Sequence, residues 1–134
     1  MDLVPCIVIL LKGLVMVSNH IKFGKIGEDI ASIVVKKMGY KIIERNYRSK
    51  FGEIDLIAKD KDVLVFIEIK TRTSSIDYAK QAIDNKKKKK LIKLALAYMK
   101  MRKLDNIKAR FDVVAISMKK GMPEIEFIKD AFCC

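Results

Sequence analysis

The stretch Gly52-Glu53-Ile54-Asp55-Leu56-Ile57-Ala58-Lys59-Asp60-Lys61-Asp62-Val63-Leu64-Val65-Phe66-Ile67-Glu68-Ile69-Lys70 decides the fold. Two short runs rich in Ile, Val, Leu and Phe are parted by a few charged residues, the pattern of two strands and a tight turn. A polar turn this short implies an antiparallel hairpin. With Lys61-Asp62 as the turn, Asp60 stands opposite Val63, and the same register sets Asp55 opposite Glu68. Alternation then places Val63, Val65, Ile67 and Ile69 on one face and Leu64, Phe66, Glu68 and Lys70 on the other. In the earlier strand Ile54 and Leu56 oppose Glu53, Asp55 and Ile57. Two carboxylates and a lysine thus converge at one end of the hairpin. A slip of one residue would carry Asp55 to the other face.

Upstream, Tyr40 to Arg48 reads as a further strand, joined through Ser49-Lys50-Phe51-Gly52. Before it, Ser18 or Asn19 is a candidate cap for a helix from about Ile21 to Met38, with Gly39 as its left-handed stop. On a helical wheel Ile26, Ile30, Ile33, Val34 and Met38 form an apolar stripe, and Lys25, Asp29, Ser32 and Lys36 a polar one. The remaining flank holds Gly24, Glu28, Ala31 and Val35, small and apolar but for one carboxylate. Glu28 is therefore expected beside a close neighbour. Downstream, a loop leads to a helical stretch from about Asp77, whose best section has Asp84 as cap and Leu91, Leu94, Ala95, Tyr98 and Met101 on one face. Arg110 to Met118 and Glu124 to Phe132 read as closing strands split by Lys119-Lys120-Gly121. The expected fold is α/β, a mixed five-stranded sheet flanked by helices in the order αβββαββ.

The 134 residues include 28 Lys and Arg against 16 Asp and Glu, a net charge of +12, with three cysteines and one histidine. That length suits one domain, and the 51% hydrophobic content excludes a disordered chain. Cys6, Cys133, Cys134 and His20 cannot supply a spaced four-ligand zinc site, and free thiols in a reducing cytoplasm are expected. The tract from Leu3 to Val17 is apolar but broken by Lys12-Gly13, too short to span a bilayer and without a signal-peptide start. The expected division is a hydrophobic extension over residues 1–20, one domain over 21–132 and a tail at 133–134. Because Asp2 and Lys12 cancel, the whole charge excess lies in the domain, which favours a polyanionic partner.

Two facing carboxylates repel, and burial raises the pKa of either unless a cation intervenes. Mg²⁺ resolves this, since it takes oxygen ligands and is commonly held by one or two carboxylates plus water and phosphate oxygens. Lys70 would then orient a water or stabilise developing charge. On these residues alone, a plain cross-strand Lys/Glu ion pair at a sheet edge is the favoured explanation of the pattern.

The wider sequence resembles a known family. Gly24-Lys25-Ile26-Gly27-Glu28, Gly39-Tyr40, Arg45-Asn46, Arg48, Gly52 to Ala58, Phe66-Ile67-Glu68-Ile69-Lys70-Thr71-Arg72 and Arg110-Phe111-Asp112-Val113-Val114 are similar to the YraN family of predicted endonucleases, from about Phe23 to Phe132. That family is similar to archaeal Holliday junction resolvases and is placed among restriction-endonuclease-like proteins. The resemblance implies a PD-(D/E)xK site written as Ile54-Asp55 and Glu68-Ile69-Lys70. It implies Asp55, Glu68 and the Ile69 carbonyl as Mg²⁺ ligands (Mn²⁺ as substitute), Lys70 serving the attacking water, and Glu28 as the helix glutamate beside the metal. The implied activity is phosphodiester hydrolysis in branched or single-stranded DNA, with a homodimer suited to two-fold junctions, and the free thiols place the expected protein in the cytoplasm.

For phosphate contacts the candidates are Arg45, Arg48, Lys50 and Arg72, with Lys86 and Lys87 from the five-lysine run Lys86 to Lys90. Tyr47, Phe51 and Tyr78 are candidates for stacking on bases, though Tyr47 is expected to pack on the sheet. The rival readings are a nucleic-acid-binding module with the same fold and no catalysis, and a membrane-associated adaptor using residues 3–17 and the lysine run, the latter disfavoured. Binding alone requires none of the acids.

Overall fold

A computed structural model describes residues 23–73, 83–118 and 122–132. The proposed extension, the Ser18 or Asn19 cap, the helix start near Asp77, Tyr78 and the tail lie outside the described residues. The elements are α1 (Phe23–Lys37), β1 (Lys41–Ser49), β2 (Gly52–Asp60), β3 (Val63–Arg72), α2 (Asn85–Met101), β4 (Ala109–Ser117) and β5 (Glu124–Phe132). One sheet holds the strands in the order β1-β2-β3-β4-β5. β1, β2 and β3 pair antiparallel, β4 joins β3 in parallel after the crossover through α2, and β5 closes antiparallel on β4. The fold is the expected mixed α/β sheet in the order αβββαββ.

The two helices cover opposite faces. Ile30, Ala31, Val34 and Val35 of α1 pack with Leu56, Ala58, Val65, Ile67, Val114 and Ile116. Leu91, Leu94, Ala95 and Tyr98 of α2 pack with Ile57, Leu64, Phe66 and Phe111. Strand alternation feeds both layers from the same strands, which is why β3 reads as nearly unbroken apolar sequence. Gly39 ends the first helix with φ +94. Asp84 caps α2, its carboxylate accepting from the Lys87 N–H. No helix of the described residues is long and apolar enough to cross a membrane.

Three details depart from the expected pattern. The buried face of α1 is rotated toward its small-residue flank: Ala31 and Val35 are fully buried, while Ile26 and Ile33 are only partly covered. Ser32, expected on the polar stripe, is buried and donates to the Glu28 carbonyl of its own helix. In α2, Met101 is exposed and Met99 takes its place in the core, because the helix ends there and the chain turns back, Leu104 N–H bonding to the Met99 carbonyl.

Candidate active site

The β2–β3 hairpin follows the expected register from Asp60↔Val63 to Leu56↔Ile67. There the ladder gives way. Continued, it would face Asp55 with Glu68; instead the Asp55 carboxylate accepts the Ile69 N–H at 2.8 Å, standing in for the backbone partner that β2 no longer supplies. The strict alternation expected in β2 fails at the same point. Ile54 packs with the α2-side core and Leu56 with the α1-side core, although both were expected on one face. Their partners on β1 are Tyr47 and Arg45, and Asn46 between them has φ +52. A left-handed residue there reverses the alternation in β1, and asparagine tolerates that conformation better than most. The sheet thus opens where the acids were expected to gather.

The opening forms a cleft of about 330 Å³ lined by Gly24, Glu28, Asp55, Ile69, Lys70, Thr71 and Arg72. α1 closes one side by lying tight on the end of β3: a Cβ at Gly27 would run into the Thr71 side chain. That approach brings Glu28 in, and Asn46 Nδ2 donates to Glu28 Oε2 at 3.3 Å. Arg45 pins the helix from outside through Asp29 at 2.8 Å.

Glu68 does not line the cleft. Its side chain lies on the α2 side and is 6% exposed, with Lys70 Nζ at 3.5 Å and Lys87 Nζ at 3.7 Å from Oε1. Burial pushes the Asp55 carboxyl up to about 7, helped by the negative charges of Glu68 and Glu28 and opposed by the Ile69 N–H and by Lys87. Among the described residues no three His, Cys, Asp or Glu side chains form a ready metal-holding group. Two carboxylates and a backbone carbonyl are the donors that Asp55, Glu68 and Ile69 can offer, and all are the hard oxygens that Mg²⁺ prefers. By the chemistry of its donors the set fits a divalent cation, which would offset both the burial of Asp55 and the lesser repulsion from Glu68 and Glu28.

The candidate phosphate-binding residues divide. Arg72 lines the cleft, its guanidinium donating to the Thr71 carbonyl, and Lys87 reaches Glu68. Arg45 is held by Asp29, and the exposed Arg48 stands 3.7 Å from Glu53. Lys50 and Lys86 are exposed. Tyr47 packs edge-on against Tyr98.

Sequence reasoning gave Asn46 no role at the site, though a polar residue in the middle of a strand was a signal. It also missed a network around β4. Asp112 is fully buried and accepts from Tyr40 OH at 3.0 Å, Arg110 Nε at 3.0 Å and the Asp130 N–H at 2.8 Å. Arg110 also donates to Tyr40 OH and to Asp60 Oδ2. Burial, then the Asp112 charge, raises the Tyr40 pKa. This network walls a larger cleft of about 780 Å³ that includes Lys61, Lys108 and Lys129.

The model of the uncharacterised protein family UPF0102 matches residues 27–116. A UPF0102 protein of Syntrophus aciditrophicus is 43% identical over 116 residues, 86% of this chain and 91% of the relative. One from Geotalea daltonii is 44% identical over 81% of this chain and 87% of its own length. One from Persephonella marina is 41% identical over 81% and 91%.

Proposed function

The chain belongs to the uncharacterised protein family UPF0102, and on that premise we propose that it is a metal-dependent endonuclease hydrolysing phosphodiester bonds in branched or single-stranded DNA. The observation that carries this reading is the parting of β2 from β3 at Asp55, which turns a half-buried carboxylate, Lys70 and the α1 glutamate toward one cleft. A sheet built only for stability would close that ladder.

Asp55 and Glu68, with the Ile69 carbonyl, are the groups that would hold Mg²⁺ or Mn²⁺. When bound, the ion would polarise a phosphodiester and lower the pKa of a water. Lys70 lines the cleft with its ammonium 3.5 Å from Glu68, which suits it to stabilise charge on an attacked phosphate or to orient the attacking water. Glu28, steadied by Asn46, adds a second acceptor from the α1 side. Arg72 and the lysines at the start of α2 would draw the backbone phosphates in, and Lys and Arg contacts of this kind give affinity without base reading. Structure-selective cutting is the expected outcome.

The ion pairs of Lys70 and Lys87 with Glu68 favour one alternative, a non-catalytic nucleic-acid-binding module, because they balance Glu68 without a metal. One experiment separates the two. Junction, flap, single-stranded and duplex DNA are incubated with the protein in Mg²⁺, Mn²⁺ or EDTA, alongside Asp55→Ala and Lys70→Ala. Metal-dependent cleavage that falls at least about 100-fold in both variants is expected. Cleavage surviving intact in both rejects the site, and binding without cleavage by any form selects the module.

A further inference from the structure

The turn between β1 and β2 holds an aromatic side chain that neither core uses. Phe51 is 45% exposed at the tip of a two-residue connection closed by Ser49↔Gly52. Its backbone N–H donates to Ser49 Oγ at 3.1 Å, closing the turn. Gly52 follows at φ +138, and a Cβ there would press on Lys90 and Leu94 of α2. The turn is therefore seated against the lysine-rich helix.

Cations surround the ring. Lys50 Nζ lies 5.1 Å and Lys93 Nζ 5.9 Å from its centroid. Lys90 stands against Gly52, and one turn earlier on the same helix Lys87 meets Glu68. From Lys87 to Lys93 the helix rises roughly 9 Å, on the order of one or two phosphate steps along a single strand. A line of ammonium groups thus runs from Glu68 to an exposed ring.

We propose that Phe51, with Lys50, Lys90 and Lys93, forms a subsite that stacks an unpaired base of a nucleic acid strand while the lysines hold the adjoining phosphates. The chemistry selects this occupant. An exposed lysine over a ring gains less than a base stacked on the same ring, so the ammonium groups give up the ring for phosphate oxygens. Paired bases present no free face to the ring, so the subsite prefers single strands to duplex. It deepens the proposed function by naming what the protein grips beside the cut. It rests on that reading only for its purpose, since binding needs neither metal nor hydrolysis.

The chain contains no tryptophan, so Phe51→Trp introduces a single indole reporter. Full-length wild type, Phe51→Ala, Phe51→Trp and Lys93→Ala are titrated in EDTA with a mixed-sequence single-stranded oligonucleotide and its duplex. We expect Phe51→Ala to weaken single-strand binding roughly 5- to 100-fold and duplex binding hardly at all. Phe51→Trp retains single-strand affinity, and its emission is quenched by the single strand. Lys93→Ala weakens both substrates and lowers the salt dependence. Equal losses on both substrates for Phe51→Ala, or no loss, overturn the subsite, as does unquenched indole emission on a saturated strand. A dimer that dissociates on Phe51→Ala in sedimentation also overturns it, reassigning the ring to a protein contact. Loss of cleavage with single-strand preference intact sinks only the nuclease reading; cleavage without that preference sinks only the subsite.

Discussion

Asp112 on β4 and Asp55 on β2 flank the same central strand, and the protein treats their carboxylates in opposite ways. Asp112 is fully buried and saturated by the Tyr40 hydroxyl, the Arg110 guanidinium and a backbone N–H. Asp55 accepts one backbone N–H, has Glu68 and Glu28 for electrostatic neighbours, and opens on a cleft. A buried charge with all its donors present holds strands together, while one left short of them is available to a cation. Asp112 also organises the irregularity between β4 and β5, because its carboxylate takes the N–H of Asp130, a left-handed residue with φ +53.

The sharpest way to break this contrast is to remove each carboxylate and compare the sign of the effect. Asp112→Ala leaves Arg110 with Asp60 as its remaining carboxylate and removes the acceptor of the Tyr40 hydroxyl and of the Asp130 N–H, and is expected to cost about 3–5 kcal/mol in urea unfolding. Asp55→Asn is expected to do the reverse at neutral pH without metal. The folded Asp55 carboxyl sits near 7, above its ordinary 3.8, so its proton stabilises the fold. That contribution is fully present below about pH 4 and is lost as pH rises through about 7. Wild-type stability should fall across this window by on the order of 2–4 kcal/mol more than that of Asp55→Asn, read from melting curves at a series of pH values. Added Mg²⁺ at pH 8 should raise the wild-type melting temperature and leave Asp55→Asn unmoved. The smallest effect belongs to Lys87→Gln. Lys87 holds the Asp55 value down, so its loss should move the same window to higher pH, by less than Asp55→Asn changes the profile.

Much of this was legible in the chain. The Lys61-Asp62 turn and the alternation of β3 set the hairpin register, and the helix wheel placed Glu28 on a flank of small residues that α1 does bury. Glu68 and Lys70 leave the strand together because they are two residues apart. Alternation misled where it was carried through Asp55. A period of two holds only while the backbone stays extended, and Asn46 leaves that region, so Ile54 and Leu56 part to opposite cores. The wheel misjudged Met101 for a related reason: periodicity does not say where a helix ends.

Local order alone determined the elements, their succession and the company of acids and lysine at one end of a hairpin, because strand and helix periods are properties of the backbone itself. Which carboxylate would be satisfied and which left short of donors was decided by groups far apart in sequence. Arg110 stands two residues before Asp112 on β4, but Tyr40 and Asp130 meet Asp112 only when α1 packs and β5 pairs, and Asp55 enters its cleft only when β1 bends opposite it. Hydrogen-bond supply to a buried charge is a property of the assembled sheet, and no window of neighbouring residues contains it.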